Sequence, residues 1–309
     1  MEKRAQIAAI VPCYNEEVAV GVVVDDLKAA LPDATIYVYD NNSTDRTSEV
    51  AAAHGAVVRH ESRKGKGNVV RRAFADVDAD VYLMIDGDDT YEAALAPELI
   101  ETLIAGPYDQ VVGVRQDDKE DSAHRRGHAQ GNVAFNRLVS FLFGSTVTDM
   151  FSGYRVFSRR FVKSFPALSQ EFEIETELTI HSAALRLPQV EVPVGFKTRP
   201  EGSESKLRTF RDGFRILWMV AKMFVHERPF AFYGLLASIL LIASLAFGLP
   251  VVWEFNKTGV VERFPTAFMA ASLAILGVFM ASVGVIQAGI LKTRREIMRL
   301  AYLRHGPVR

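Results

Sequence analysis

"VYLMIDGDDTY", residues 81–91, runs a short apolar stretch directly into Asp86, Asp88 and Asp89. The apolar part reads as a buried strand. Carboxylates crowded at the end of such a strand destabilise one another where water is scarce, and the usual relief is a cation. Asp86 and Asp88 alternate at strand spacing, which puts both on one side of the strand end. Oxygen ligands of this kind suit a hard divalent ion, Mg²⁺ or Mn²⁺, whose shell is commonly completed by substrate phosphates.

Working outward, the chain alternates strand and helix signals. "IAAIV" (7–11), "TIYVY" (35–39), "AVVRH" (56–60), "VYLMI" (81–85) and "QVVGV" (110–114) read as strands, with helices starting near Glu16, Thr44, Lys66 and Pro97. Asp45 and Thr47 suit a helix start, and Gly55 suits the position just past a helix end. Alternation of this kind predicts a mainly parallel α/β sheet that binds ligands beyond the carboxyl ends of its strands. There the turns "PCYNEE", "DNNSTD" and "DGDD" would converge. A nucleotide across that edge would meet Asp40 and Asn41 at its base or ribose, and a metal at its diphosphate. "SRKGKGNVV" lacks the full spacing of a phosphate-binding P-loop, so Lys64 and Lys66 read either as neighbours of the phosphates or as a solvated helix start. Between residues 115 and 206, Arg115, Arg125, Arg126, Arg155, Arg199 and Lys206 lie among glycine, serine and aromatic residues, a setting that suits phosphate recognition.

The 309 residues carry a net charge of −1, which gives no electrostatic footprint for nucleic acid. A single cysteine, Cys13, excludes an internal disulfide and reads as a small core residue, and His181 reads as structural. The opening MEKRAQ lacks the pattern of a cleavable signal peptide. Phe230–Leu249 is uncharged and, at about 30 Å as a helix, matches a bilayer core. Phe264–Leu291 is a second uncharged run, rich in the small residues that let membrane helices pack closely, which makes self-association through the spans an expectation. Before the spans, Leu207, Phe210, Phe214, Leu217, Ala221 and Phe224 form an apolar stripe beside Arg208, Arg211, Arg215 and Lys222, the pattern of a helix lying in the membrane interface, with packing against the globular domain as the competing use of the same stripe. Basic residues flank both spans on the outer sides of the hairpin, so both flanks are expected in the cytosol. The expected organisation is a cytosolic domain (1–206), an amphipathic helix (207–228), a first span (229–253), an extracytoplasmic turn (254–263), a second span (264–291) and a basic cytosolic tail (292–309).

The motifs "VPCYNEE", "YDNNSTDRT", "GKG", "DGDD", "GVR", "TDMFSGYR", "VEVP" and "RPEGSESKL..FRDG", in this order, resemble those of the polyprenyl-phosphate glycosyltransferases of glycosyltransferase family 2. That resemblance implies a GT-A-like fold and an inverting transfer of a sugar, read towards a UDP-sugar donor, onto a polyprenyl or dolichyl phosphate at the membrane. It implies Pro12, Tyr14 and Glu16 in the nucleotide pocket, Tyr39 and Asn41 on the base and ribose side, and Asp86–Gly87–Asp88 as the metal-binding turn, with Thr90 in reach of the ion. It also implies Arg115, Arg199 and Lys206 as phosphate-binding cations with Arg126 beside them, Asp149 as an active-site acid, and Arg155 as its catalytic neighbour. Asn41 and Asn42 stand where the family pattern has an acid and a glycine, which leaves the base and the sugar open. Two other readings compete. "YLMIDGDDT" also fits the haloacid-dehalogenase-type phosphatases with Asp86 as nucleophile, but those place the strand near the chain start and carry a downstream G-D-x-x-x-D pair that is absent here. A processive polysaccharide synthase would show Q-x-x-R-W, also absent, and a non-catalytic membrane adaptor would not need the acid pair and the cations together.

The orientation is testable. With Cys13 replaced, a cysteine in the Asn256–Gly259 turn is expected to react with an impermeant thiol reagent outside intact cells, and one beside Arg304 is not. The opposite labelling overturns this topology.

Overall fold

The computed structural model describes residues 5–117, 148–171, 173–198 and 224–308. The five apolar runs form β1 (Ile7–Cys13), β2 (Thr35–Asp40), β3 (Val57–His60), β4 (Val81–Met84) and β5 (Gln110–Asp117). Two further strands, β6 (Arg155–Ser158) and β7 (Gln189–Phe196), complete a seven-stranded sheet of order β3-β2-β1-β4-β6-β5-β7. Among the described strands only β6 runs against its neighbours, pairing antiparallel with β4 and β5, while the other pairs are parallel. Around the sheet lie α1 (Val20–Ala30), α2 (Thr47–Ala53), α3 (Lys66–Asp76), α4 (Ala96–Ala105), α5 (Arg159–Ser164) and α6 (Ile174–Leu185). Gly55 follows the end of α2 with φ 81°, as its position in the sequence leads one to expect.

Alternation along the strands feeds two cores, one on each face of the sheet. Ala9, Val11, Val81, Leu83 and Ile85 join α1 and α4 on one face. Ala8, Ile10, Tyr82 and Met84 join α3, α5 and α6 on the other. Cys13 is buried in the first core and His181 in the second layer, where its Nε2 lies 3.0 Å from Ser164 Oγ between Phe161 and Phe165. Because β1 sits between β2 and β4, the ends of these three strands emerge side by side.

The chain divides into two compact units, Met1–Lys206 with Ile297–Arg309, and Leu207–Glu296. The second unit contains most of two long helices, α7 (Pro229–Thr258) and α8 (Phe264–Leu303), each long and apolar enough to cross a membrane. Their outward faces are apolar, with Ile242 and Ile275 about two-thirds exposed. Ser244 Oγ donates to Ala270 O at 2.7 Å between the two helices. α7 continues through residues 254–258, so the connecting turn is shorter than the sequence leads one to expect, and α8 runs on past Leu291. Residues 207–223 of the expected amphipathic helix lie outside the described residues.

The last turns of α8 belong to the first unit and end in a buried polar contact. Tyr302 donates to Asp109 Oδ2 at 2.8 Å, and the same carboxylate accepts from Ser158 Oγ and Arg160. The Tyr302 ring is flanked by the guanidinium groups of Arg160 and Arg299, each 4.8 Å from its centroid. Tyr302→Phe is therefore expected to destabilise the first unit by about 1.5–3 kcal/mol, the range for a hydrogen bond to a charged partner. Hydrogen exchange of the β5 amides in the detergent-solubilised protein reads this; unchanged protection would mean that the C-terminal segment only rests on the surface.

Candidate active site at the carboxyl edge of the sheet

The turns after β1 and β2 are sewn together by their own polar groups. Asn41 N donates to Cys13 O at 2.9 Å, Asn15 N to Ser43 Oγ at 2.9 Å, Thr44 N to Asn15 Oδ1 at 2.8 Å and Glu16 N to Thr47 Oγ1 at 2.8 Å. Asp40 accepts from Ser43 N and Ser48 Oγ. Burial works against its charge, but these bonds hold its carboxyl below the ordinary range. Asn41 donates from Nδ2 to Glu61 O and Arg63 O, at 2.9 and 2.7 Å, and accepts from Gly65 N at 2.6 Å. An aspartate there would set a carboxylate against two carbonyl oxygens, which accounts for the asparagine. Asn42 sits at φ 64° and donates to Glu61 O and Ser62 O, so an asparagine serves where a glycine also would. Pro12 and Tyr14 stay partly exposed at this edge, with Lys64 Nζ 5.7 Å from the Tyr14 ring centroid, while Glu16 is buried.

The turn after β4 is packed as closely. A Cβ on Gly87 would lie 2.3 Å from Cys13 Sγ, so only glycine lets the turn settle on the end of β1. Asp88 is buried, and Thr90 donates to its Oδ1 at 2.6 Å. Lys197 N donates to Thr90 O at 2.8 Å, and Lys197 Nζ lies 3.6 Å from Asp89. Tyr91 accepts from Gly153 N at 2.9 Å, and burial pushes its hydroxyl up to about 12, so it stays protonated. Asp86 is met by Lys66, whose Nζ lies 2.5 Å from Asp86 Oδ1 and 2.5 Å from Glu175 Oε1. Burial opposes the ammonium, yet the two carboxylates outweigh it and raise the lysine pKa. Burial raises that of Glu175, with the nearby Asp86 carboxylate adding to the shift, and Lys66 only partly offsets them.

Arg115 and Asp149 are brought together as a forked pair, with Arg115 Nε and Nη2 each 2.7 Å from a carboxylate oxygen. Burial disfavours the guanidinium charge, but Asp149 holds it and raises its pKa overall. The Asp149–Gly153 turn is tied down by Ser152 Oγ on Gly113 O and by Arg155 from beneath. Arg155 is fully buried and donates to Ser152 O, Met150 O and Thr179 Oγ1, so the structure does not bring it to the open edge as a substrate contact. Tyr39 is likewise not at the base side of a pocket. Strand alternation turns it into the second core, where burial pushes its hydroxyl up to about 12. Arg126, Arg199 and Lys206 lie outside the described residues. The sequence reading left open what Lys66 meets and passed over Glu175. The signal available was "GKG" together with an acid, Glu175, on a helix whose other faces are nearly all apolar or small.

Among the described residues, no three His, Cys, Asp or Glu side chains close on one point. Asp86 and Asp88, on a turn that a glycine holds against β1, nevertheless fit an ion of the Mg²⁺ or Mn²⁺ class, which takes one or two carboxylates and leaves the rest of its shell to phosphate and water.

Seven strands with one reversed, and an acidic turn beside an Arg–Asp pair at the carboxyl edge, define a GT-A-like nucleotide-sugar transferase fold. The glycosyl transferase family 2 model matches residues 8–165, and the chain belongs to that family and is a glycosyltransferase. It is 32% identical to glycosyltransferase AglJ of Haloferax volcanii, over 95% of this chain and 96% of that protein. It is 33% identical to the dolichyl-phosphate hexose transferase of the same organism, over 72% of this chain and 95% of the relative. Among solved structures, it is similar to glucosyl-3-phosphoglycerate synthase from Mycobacterium tuberculosis in complex with Mn²⁺, UDP-glucose and phosphoglyceric acid, with TM-score 0.53 and 25% identity over 64% of this chain and 73% of that one.

A Cβ on Gly153 would lie 2.2 Å from Asp86 Oδ2. Gly153→Ala should displace that carboxylate while leaving the sheet intact, with a loss of about 100-fold in turnover, as a misplacement of this order produces. Turnover and melting temperature on one preparation check this; wild-type turnover would show that the position of Asp86 is immaterial.

Proposed function

We propose that this chain transfers a sugar from a nucleotide-diphosphate sugar, UDP-linked, to the phosphate of a polyprenyl or dolichyl lipid at the cytosolic face of a membrane, inverting the anomeric carbon. The observation that carries this reading is the meeting of the Asp86–Gly87–Asp88 turn with the Arg115–Asp149 pair at one sheet edge, in a chain that also has two apolar helices of membrane-crossing length. The named activity of the dolichyl-phosphate hexose transferase and the UDP-glucose in the similar solved structure support it.

In this proposal the nucleotide lies over Pro12, Tyr14 and Glu16, with the Asp40–Asn41 turn as the wall of its pocket. Asp86 and Asp88 hold Mg²⁺ or Mn²⁺, which supplies charge stabilisation to the departing diphosphate. An oxygen of the lipid phosphate attacks the anomeric carbon as its bond to the diphosphate breaks, and the electron pair leaves with the nucleotide. That oxygen is already anionic at neutral pH, so the protein need not remove a proton from it. What the protein supplies is orientation and positive charge between two anions. Arg115, fixed by Asp149, is one such cation, and Arg126, Arg199 and Lys206 are the further ones that the family resemblance implies. The basic flanks of the apolar helices support a site on the cytosolic side.

Transfer of radiolabelled sugar to polyprenyl phosphate in membranes tests this. Asp88→Asn should lower transfer by about 100- to 1,000-fold without lowering the melting temperature, because it removes a ligand and relieves like-charge repulsion. Near wild-type turnover at saturating donor would overturn the metal assignment, and absence of lipid-linked product from the wild type would overturn the acceptor.

A further inference from the structure

The start of α3 and the start of α6 are joined through their backbones. Gly67 N donates to Glu171 O and Asn68 N to Gln170 O, each at 3.2 Å. A Cβ on Gly65 would lie 2.1 Å from Gln170 O, and one on Gly67 would lie 2.3 Å from Ser169 O. The two glycines of "GKG" thus let this helix start press on the segment that leads into α6, with Gly65 at φ 118°. Lys66, between them, and Glu175, on α6, are therefore held by one piece of packing. Asp86 comes from elsewhere, the end of β4, and has no part in that contact.

The charges are unbalanced in a telling way. The Lys66 side chain is one-tenth exposed and its single ammonium serves both Asp86 and Glu175 at 2.5 Å. Glu175 Oε2 is buried and has no hydrogen-bond partner. An ammonium has three donors, so Glu175 has room to accept a second bond from it. A divalent ion on Asp86 would face that ammonium at contact distance, where like-charge repulsion is strong.

We propose that Lys66 is a positioning residue, the resident counter-ion of Asp86, which passes to Glu175 when the divalent ion arrives with the donor diphosphate. The inference rests on the reading of Asp86 and Asp88 as the metal-holding pair. Its consequence is an order of binding. Bare metal must displace a cation and binds weakly, whereas the diphosphate brings the negative charge that lets metal and ammonium share the site. The GKG segment then acts as a hinge-free mount that keeps the lysine within reach of both acids.

The test is Mn²⁺ binding to the detergent-solubilised full chain, read from the electron paramagnetic resonance signal of free Mn²⁺, with and without saturating UDP. Wild type should bind Mn²⁺ at least about ten-fold more tightly with UDP than without it. Lys66→Gln should raise affinity for bare Mn²⁺ by about ten-fold or more and so shrink the effect of UDP, while Lys64→Gln, the same charge change on a lysine not in contact with Asp86, should leave the affinity for bare Mn²⁺, measured without UDP, within about two-fold. Glu175→Gln removes the alternative seat of the ammonium and should weaken bare Mn²⁺ binding. Equal effects of Lys64→Gln and Lys66→Gln, or no effect of Lys66→Gln, overturn the counter-ion role. Should Lys66→Gln fail to fold, unchanged or tighter bare Mn²⁺ binding by Glu175→Gln overturns it alone. If wild type binds no Mn²⁺ even with UDP, the metal reading itself fails. If UDP-dependent binding is present and is lost in Asp88→Asn, that reading stands whatever Lys66 does.

Discussion

Like-charge repulsion at the end of a buried strand is the constraint around which this edge of the molecule is built. Asp86, Asp88 and Asp89 emerge together, and Asp149 approaches from the turn before β6. The structure answers each acid with a fixed donor: Lys66 for Asp86, Thr90 for Asp88, Lys197 near Asp89 and Arg115 for Asp149. These partners come from α3, from the strand-end turn, from the end of β7 and from β5, so the site cannot form until distant parts of the sheet have met. Removing one partner of a partly buried pair leaves a charge in a medium that solvates it poorly, and the neighbouring acids then feel it.

The alternating layout was legible because β1 to β5 are continuous apolar runs and the helices between them carry their own start signals. β6 and β7 were not. β6 opens with Arg155 and spans only four residues, so its polar first residue hides a fully buried strand. β7 sits at the sheet edge and carries Pro193 and Glu191, residues that lower a strand reading but are tolerated where one side is unpaired. Side-chain direction was the second blind spot. Tyr39 and Asp40 are consecutive, and the period of two sends Tyr39 into the core while leaving Asp40 at the polar turn. Arg155 satisfies its donors on carbonyls and a hydroxyl that no local pattern displays. The Lys66–Glu175 pair joins residues far apart in the chain, and periodicity carries no information about such pairs.

The departures from the family pattern at Asn41 and Asn42 have a local rationale that bears on specificity. Their amides bind the carbonyls of residues 61–63, and so draw the segment after β3 over the end of β2. Lys64, on that segment, comes over Tyr14 in consequence. This side of the edge is thus shaped by uncharged side chains holding a basic segment in place, rather than by a pair of acids.

The placement of Ile297–Arg309 in the same unit as Met1–Lys206 makes the globular unit discontinuous in the chain. The apolar helices are an insertion within it, not an appendage after it. During synthesis the sheet can assemble early, but Asp109 stays without its tyrosine partner until both apolar helices have been made. A chain that stops within α8 would carry an unfinished domain, recognisable to cellular proteolysis by its exposed acid and the uncovered apolar face beneath Met298 and Tyr302. Completion of the enzyme is thereby coupled to completion of its two apolar helices.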